Sequence, residues 1–479
     1  MAMLSYSRAI ADNAERQPDR VAITCADRSI TWKELEPRTN RLARAYADLG
    51  VTKDSFVTIG LPNSIEFFEA CVAVWKLGAT PQPISYRLPD RERQAIVELA
   101  NSSLVVGADP AAHPGRTVIP ADYEPDPSID DSQLPDAVAA HLKAPTSGGS
   151  TGRPKLIVAT NPSVRTETPR LGQKKDGVSL LPGPLYHNAP FSGATGGLMH
   201  GNHVITMPKF DAEATLAAID ALRPDWILLV PTMMQRITRL PDDVRARYDV
   251  SSLEVVWHMA SPCPPWLKEA WITWLGGEKI FELYAGTEAQ SMTVVRGDEW
   301  LAHRGTVGKP ISGEMRIQDP DTFEVLPAGV VGEVFMRSVG DRKTYEYIGA
   351  EARVSPDGWE SLGDMGYMDE EGYLFLADRR SDMILSGGAN IYPAEIEAAI
   401  DEHPSVVSCA AIGLPDDDLG NRVHAVVQVS EPIDADELRT FLAERLVRYK
   451  IPRTFEFTTD VVRGHDGKVR RSALRESRS

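Results

Sequence analysis

The sequence predicts an α/β protein: a large N-terminal domain of α/β subdomains with a β-rich part, followed by a small α+β domain. Three observations carry this. Short apolar strand candidates alternate with helix candidates through the first half of the chain, the pattern of βαβ units and largely parallel sheets. The chain has 479 residues, 42% of them hydrophobic, which is too long for one small domain and rich enough for more than one core. A polar joint, Asp378-Arg379-Arg380-Ser381-Asp382, follows the end of a β-rich stretch at Tyr373–Ala377 and precedes a fresh set of elements. The expected domains are therefore residues 1–380 and 381–479.

The elements follow in order. Leu35–Leu49 reads as a helix, with Leu35, Leu42 and Leu49 on one face. Phe56–Leu61 reads as a strand stopped by Pro62-Asn63, and Ile65–Leu77 as a helix ending at Gly78. Leu104–Gly107, Val118–Pro120 and Val204–Met207 read as further strands, and Trp226–Val230, closed by Pro231, as a core strand. Ala108–Pro145 is proline-rich and loop-like. Beyond the joint, Pro393–Glu402 reads as a helix with proline in its first turn. Val406–Ile412 and Val423–Val429 read as strands and Asp434–Leu446 as a helix, a unit of about a hundred residues. The joint is a hinge or a simple linker.

Charge and cysteine usage exclude several classes. A net charge of −17 argues against a nucleic-acid backbone as partner, because counterion release needs a basic surface. The apolar runs are too short to span a bilayer, and Met1–Asp12 lacks a secretory pattern. Cys25, Cys71, Cys263 and Cys409 lie far apart, with no Cys-x-x-Cys pair, so zinc patterns and a disulfide scaffold are not expected. A soluble cytoplasmic protein is expected.

The most informative stretch is Thr146-Ser147-Gly148-Gly149-Ser150-Thr151-Gly152-Arg153-Pro154-Lys155. Glycines let backbone N–H groups approach an anion, while hydroxyls and a lysine add donors and charge. A polyphosphate fits this mixture; a flexible surface loop is the plainer alternative. The spacing differs from the common P-loop, which has four residues between its glycines and then Gly-Lys-Ser/Thr.

Four further motifs accompany it in order. They are Tyr284-Ala285-Gly286-Thr287-Glu288; Ser361-Leu362-Gly363-Asp364 with Gly366; Asp378-Arg379 leading to Gly387-Gly388-Ala389-Asn390-Ile391-Tyr392-Pro393-Ala394-Glu395-Ile396-Glu397; and Gly467-Lys468 after Tyr449-Lys450-Ile451-Pro452-Arg453. Together they resemble the adenylate-forming superfamily of acyl-CoA synthetases, peptide-synthetase adenylation domains and firefly-type luciferases, over essentially the whole chain. Gly183-Pro184-Leu185-Tyr186-His187-Asn188 and Ser386–Pro393 look most like acyl-CoA ligases for larger carboxylic acids.

The resemblance implies a chemistry. A carboxylate attacks the α-phosphate of ATP, giving an acyl-adenylate and pyrophosphate; coenzyme A then takes the acyl group. An amine as acceptor, giving an amide, is the alternative, and a non-catalytic nucleotide-binding relative is the third reading. Loading of a carrier protein in cis is not expected, since no Gly-x-Asp-Ser-Leu-like site exists.

The resemblance also implies roles. The loop Thr146–Lys155 would hold the outer phosphates, Thr287 the α-phosphate and Glu288 a Mg²⁺ ion. Tyr284 would lie against adenine, with Ala260-Ser261-Pro262 on its other side. Asp364 would accept the ribose hydroxyls, as few side chains but a carboxylate can, and Arg379 would reach ribose and phosphate. Lys468 would bridge carboxylate and α-phosphate, carried by a mobile C-terminal domain. Ser381 stands where many relatives carry Asp or Lys at the pivot. His187 would steer the carboxylate or gate the later step, or be structural. Ala285, with Gly193, Gly196 and Gly197 nearby, suggests an acyl pocket larger than acetate needs.

Overall fold

The computed structural model describes residues 3–148, 154–386, 389–464 and 467–478. Its largest sheet has nine strands. Six adjacent ones run parallel: Val21–Cys25, His203–Thr206, Val178–Leu181, Trp226–Leu229, Val255–Met259 and Ile280–Ala285. Antiparallel strands close both edges, Arg28–Thr31 on one side and Met292–Arg296 with Lys309–Ser312 on the other. Strand Trp226–Leu229 is wholly buried, as its unbroken apolar run requires of a central parallel strand.

A second sheet, Thr80–Pro83, Phe56–Ile59, Leu104–Val106 and Val118–Ile119, is entirely parallel. Helix Ile65–Lys76 packs in the core shared by the two sheets and is buried on nearly every side. Ser64 starts it by accepting a hydrogen bond from the Phe67 N–H.

The expectation of parallel sheets does not extend to the β-rich part. Glu314–Gln318, Gly332–Arg337, Glu360–Met368 and Leu374–Arg379 are antiparallel neighbours. Short turns such as Asp369–Gly372 join some of these strands, and a parallel crossover needs a much longer connection.

The C-terminal part has a core of its own, with Ile396, Ile400, Val406, Ala425, Leu438 and Leu442 among its members. Helix Pro393–Asp401 packs on strand Val406–Asp416. That strand pairs antiparallel with Gly420–Val429, which in turn pairs parallel with Thr454–Thr458. The Asp434 carboxylate caps helix Ala435–Ala443. All four cysteines are free thiols.

Candidate active site

Four neighbouring parallel strands deliver the motif segments to one edge of the large sheet. Val178–Leu181 runs on toward His187, Trp226–Leu229 toward Thr232, Val255–Met259 into Ala260-Ser261-Pro262, and Ile280–Ala285 into Gly286-Thr287-Glu288. The carboxyl ends of parallel strands are where open α/β sheets bind ligands. The local backbone is demanding: Ala260 has φ +79° and Ala289 φ +56°, a left-handed conformation that costs a non-glycine residue on the order of 1 kcal/mol. Gly286 is needed for space, since a Cβ there would stand 2.3 Å from Leu362 Cδ1 and 2.8 Å from Glu288 Oε2.

The ends of the glycine-rich stretch are strands. Thr146–Gly148 pairs antiparallel with Pro154–Ala159, placing Ser147 opposite Lys155. The Gln82 amide donates to the Thr146 hydroxyl at 2.9 Å. Gly149, Ser150, Thr151, Gly152 and Arg153 lie outside the described residues, and Ser147 and Gly148 are described through their backbone alone.

Glu288 is 5% exposed. Lys155 Nζ lies 3.7 Å from its Oε1 and 3.9 Å from the centre of the Tyr347 ring. The Tyr347 hydroxyl donates to the same oxygen, and the Thr344 hydroxyl donates to the Glu288 carbonyl. Burial lowers the Lys155 pKa, and Glu288 partly restores it. Oε2 of Glu288 carries no hydrogen bond among the described residues.

Asp364 and Arg379 face each other across two paired strands. Arg379 Nε lies 3.3 Å from Asp364 Oδ1, and the Tyr284 hydroxyl donates to Oδ2 at 2.7 Å. A carboxylate has about four acceptor positions, so two remain for other donors. The Tyr284 pKa is raised well above its ordinary value by burial and by Asp364, so its hydroxyl stays a donor.

The lysine segment arrives at the same place. Gly467, at φ +75°, lies so near the N-terminal domain that a Cβ would be 3.2 Å from Ser261 Oγ and 3.3 Å from Thr232 Cγ2. The exposed Lys468 follows it, with its carbonyl accepting from the Gly464 N–H. The geometry thus sets Lys155 beside Glu288, Tyr284 and Arg379 on Asp364, and Gly467 beside Ser261.

Comparison with known proteins agrees with this architecture. The profile described as "AMP-binding enzyme" matches residues 10–345, and that of "AMP-binding enzyme C-terminal domain" matches residues 395–468. The chain belongs to the AMP-binding enzyme family. It is 28% identical to a 2-succinylbenzoate–CoA ligase of Bacillus licheniformis, over 98% of this chain and all of that protein. The o-succinylbenzoate CoA synthetase of Bacillus subtilis, solved with an acyl-adenylate intermediate, superposes with a TM-score of 0.82 at 25% identity, covering 99% of this chain and 98% of that one. The amide bond synthetase McbA of Marinactinospora thermotolerans gives 0.82 and 25%, covering 99% of both chains.

One feature of this AMP-binding enzyme departs from the sequence reading. Gly193, Gly196 and Gly197 do not open space: a Cβ at each would come within 3.0 Å of Leu181, 2.6 Å of Arg165 and 3.1 Å of Gln173 respectively. They permit close packing of helix Asn188–Met199 instead. His187 is the residue just before that helix, with its ring centroid 4.5 Å from that of Tyr186.

Three residues escaped the sequence reading. Tyr347 was legible through its alternation with Tyr345 in a short strand, which puts both rings on one face. Lys143 gave no signal. Its ammonium donates to Asn188 Oδ1 and Ser192 Oγ, and its pKa falls to about 7 through burial and, secondly, the Arg165 charge. Thr232, beside Gly467, sits in an apolar run and gave none either. No helix among the described residues is long and apolar enough to cross a membrane.

Proposed function

We propose that the protein is an ATP-dependent carboxylate–CoA ligase for acids larger than acetate. The observation that supports this best is the convergence of Lys155, Glu288, Asp364 and Gly467-Lys468 on one edge of the sheet. A substrate carboxylate oxygen attacks the α-phosphorus of ATP, and the bond to pyrophosphate breaks. The coenzyme A sulfur then attacks the acyl carbon, its proton passes to solvent, and AMP leaves.

The chain's own groups take distinct parts. Backbone and hydroxyl donors of Thr146–Lys155 bind the outer phosphates, and Lys155 adds charge. Tyr284 packs against the base, Asp364 and Arg379 orient the ribose, and Thr287 donates to the α-phosphate. Lys468 offsets the negative charge that crowds where carboxylate and α-phosphate meet, an interaction of the kind that matters most in the transition state. His187, just before helix Asn188–Met199, orients the carboxylate.

Glu288 fits a Mg²⁺ site. Its Oε2, which takes no hydrogen bond among the described residues, is one hard oxygen ligand, and among those residues no three acidic, histidine or cysteine side chains group to hold a metal alone. One carboxylate plus phosphate oxygens is an ordinary magnesium arrangement. When bound, the ion would neutralise phosphate charge.

Ser381-Asp382 turns the chain between residues 1–380 and 381–479, and we place the pivot there. An amide synthetase is the second reading, favoured by the equal TM-scores to the CoA synthetase and the amide bond synthetase. The test is a panel of aromatic, polycyclic and fatty acids with ATP, run with CoA, with amines and with neither, and read by mass spectrometry. Acyl-CoA products support the first reading; amides alone replace it with the second. Pyrophosphate release without any acid would refute both.

A further inference from the structure

Helix Pro393–Asp401 is tied at both ends to residues before the pivot. At its start, the Asp378 carboxylate accepts a 2.8 Å hydrogen bond from the Ala394 N–H. At its end, the Arg239 guanidinium donates to the Asp401 carbonyl at 3.4 Å. Midway along it stands Glu397, 4% exposed. Glu397 Oε2 meets Arg463 Nη2 at 2.6 Å, and Oε1 meets Arg471 Nη2 at 2.7 Å and the Ala411 N–H at 2.8 Å.

These two arginines flank the segment that carries Lys468. Arg463 precedes it and also donates to the Gly467 carbonyl at 3.1 Å. Arg471 follows it and also pairs with Asp382 at 2.9 Å. Both guanidiniums are largely buried, at 15% and 12% exposure. Burial alone would raise the Glu397 pKa, but Arg463 and Arg471 pull it below its ordinary value, so the carboxylate stays charged.

We propose that Glu397 is a positioning residue for adenylation: it grips both feet of the Lys468 loop and holds them to a helix docked against the nucleotide-binding domain. The inference rests on the assignment of Lys468 to the adenylation step. Buried ion pairs are weak sources of net stability, and fixing a register is their best-attested use. A displacement of about 1 Å in a catalytic group can cost ~10²-fold in rate, and an untethered loop allows that much.

The test compares E397Q, E397D and K468A in two assays: pyrophosphate release from ATP and acid, and CoA acylation from presynthesised acyl-adenylate. Gln keeps the shape but cannot accept from both arginines. Asp keeps the charge but is one methylene too short to span them. Both Glu397 variants are expected to lose about 10²-fold in the adenylation kcat, with the KM for ATP and the acylation rate within about twofold of wild type. Equal losses in both assays would make Glu397 a structural residue of the C-terminal domain and overturn the proposal. Wild-type adenylation by E397D would overturn it even if E397Q fails to fold. Full adenylation by K468A refutes the Lys468 assignment itself; loss in K468A with none in the Glu397 variants refutes only the positioning.

Discussion

Replacing Glu288 with glutamine separates its charge from its shape. The amide oxygen can still accept from Tyr347, so the fold around Thr344 and Tyr347 should persist. What goes is one charge 3.7 Å from the Lys155 ammonium. At an effective dielectric of ~20, unit charges about 4 Å apart attract by about 4 kcal/mol, an upper bound here because Lys155 keeps some solvent contact. Two consequences follow. Loss of a preorganised electrostatic group at the reacting phosphates should lower adenylation kcat by ~10²–10³-fold, with the magnesium dependence displaced to higher concentration. Lys155, already lowered by burial, loses the neighbour that raises its pKa. Its proton is then lost at lower pH, so the alkaline limb of kcat/KM for ATP, which reports the free enzyme, should move down in pH. The assay is pyrophosphate release across magnesium concentration and pH. Wild-type turnover with unchanged magnesium dependence would refute the metal assignment, and an unmoved alkaline limb would refute the coupling to Lys155.

Three further expectations follow from the same geometry. Tyr284→Phe removes the 2.7 Å donor to Asp364; a hydrogen bond to a charged group contributes about 1.5–3 kcal/mol, so the KM for ATP should rise by about one to two orders of magnitude with kcat nearly unchanged, and an unaltered KM would detach Asp364 from nucleotide binding. Ala285→Trp should shift preference toward short acids in a competition assay, and a variant that still favours bulky acids would show that Ala285 does not set the pocket size. Lys268→Met strands the buried Glu282 carboxylate, which Lys268 now pairs, and should cost about 3–5 kcal/mol in denaturant unfolding; the double change Lys268→Met/Glu282→Leu should recover most of it, and equal losses in single and double variants would refute the account.

The sequence alone decided what depends on local rules. Strand Trp226–Leu229 was legible because a short apolar run closed by proline leaves few alternatives. Helix Pro393–Asp401 was legible because proline tolerates only the first turn of a helix. The resemblance to the family was legible because five motifs stand in the order, and at roughly the distances, that the superfamily keeps. Tertiary structure decided what depends on partners distant in sequence. Only the order of the parallel strands reveals that His187, Thr232, Ser261 and Glu288 share one edge. The antiparallel β-rich part and the packing role of Gly193, Gly196 and Gly197 depend on which surfaces meet, and no local period encodes that. Glu397 looked like one more helical acid in a motif. Its grip on Arg463 and Arg471 exists because the fold carries the two feet of the Lys468 loop back across helix Pro393–Asp401, where buried charges must find one another or be paid for in desolvation.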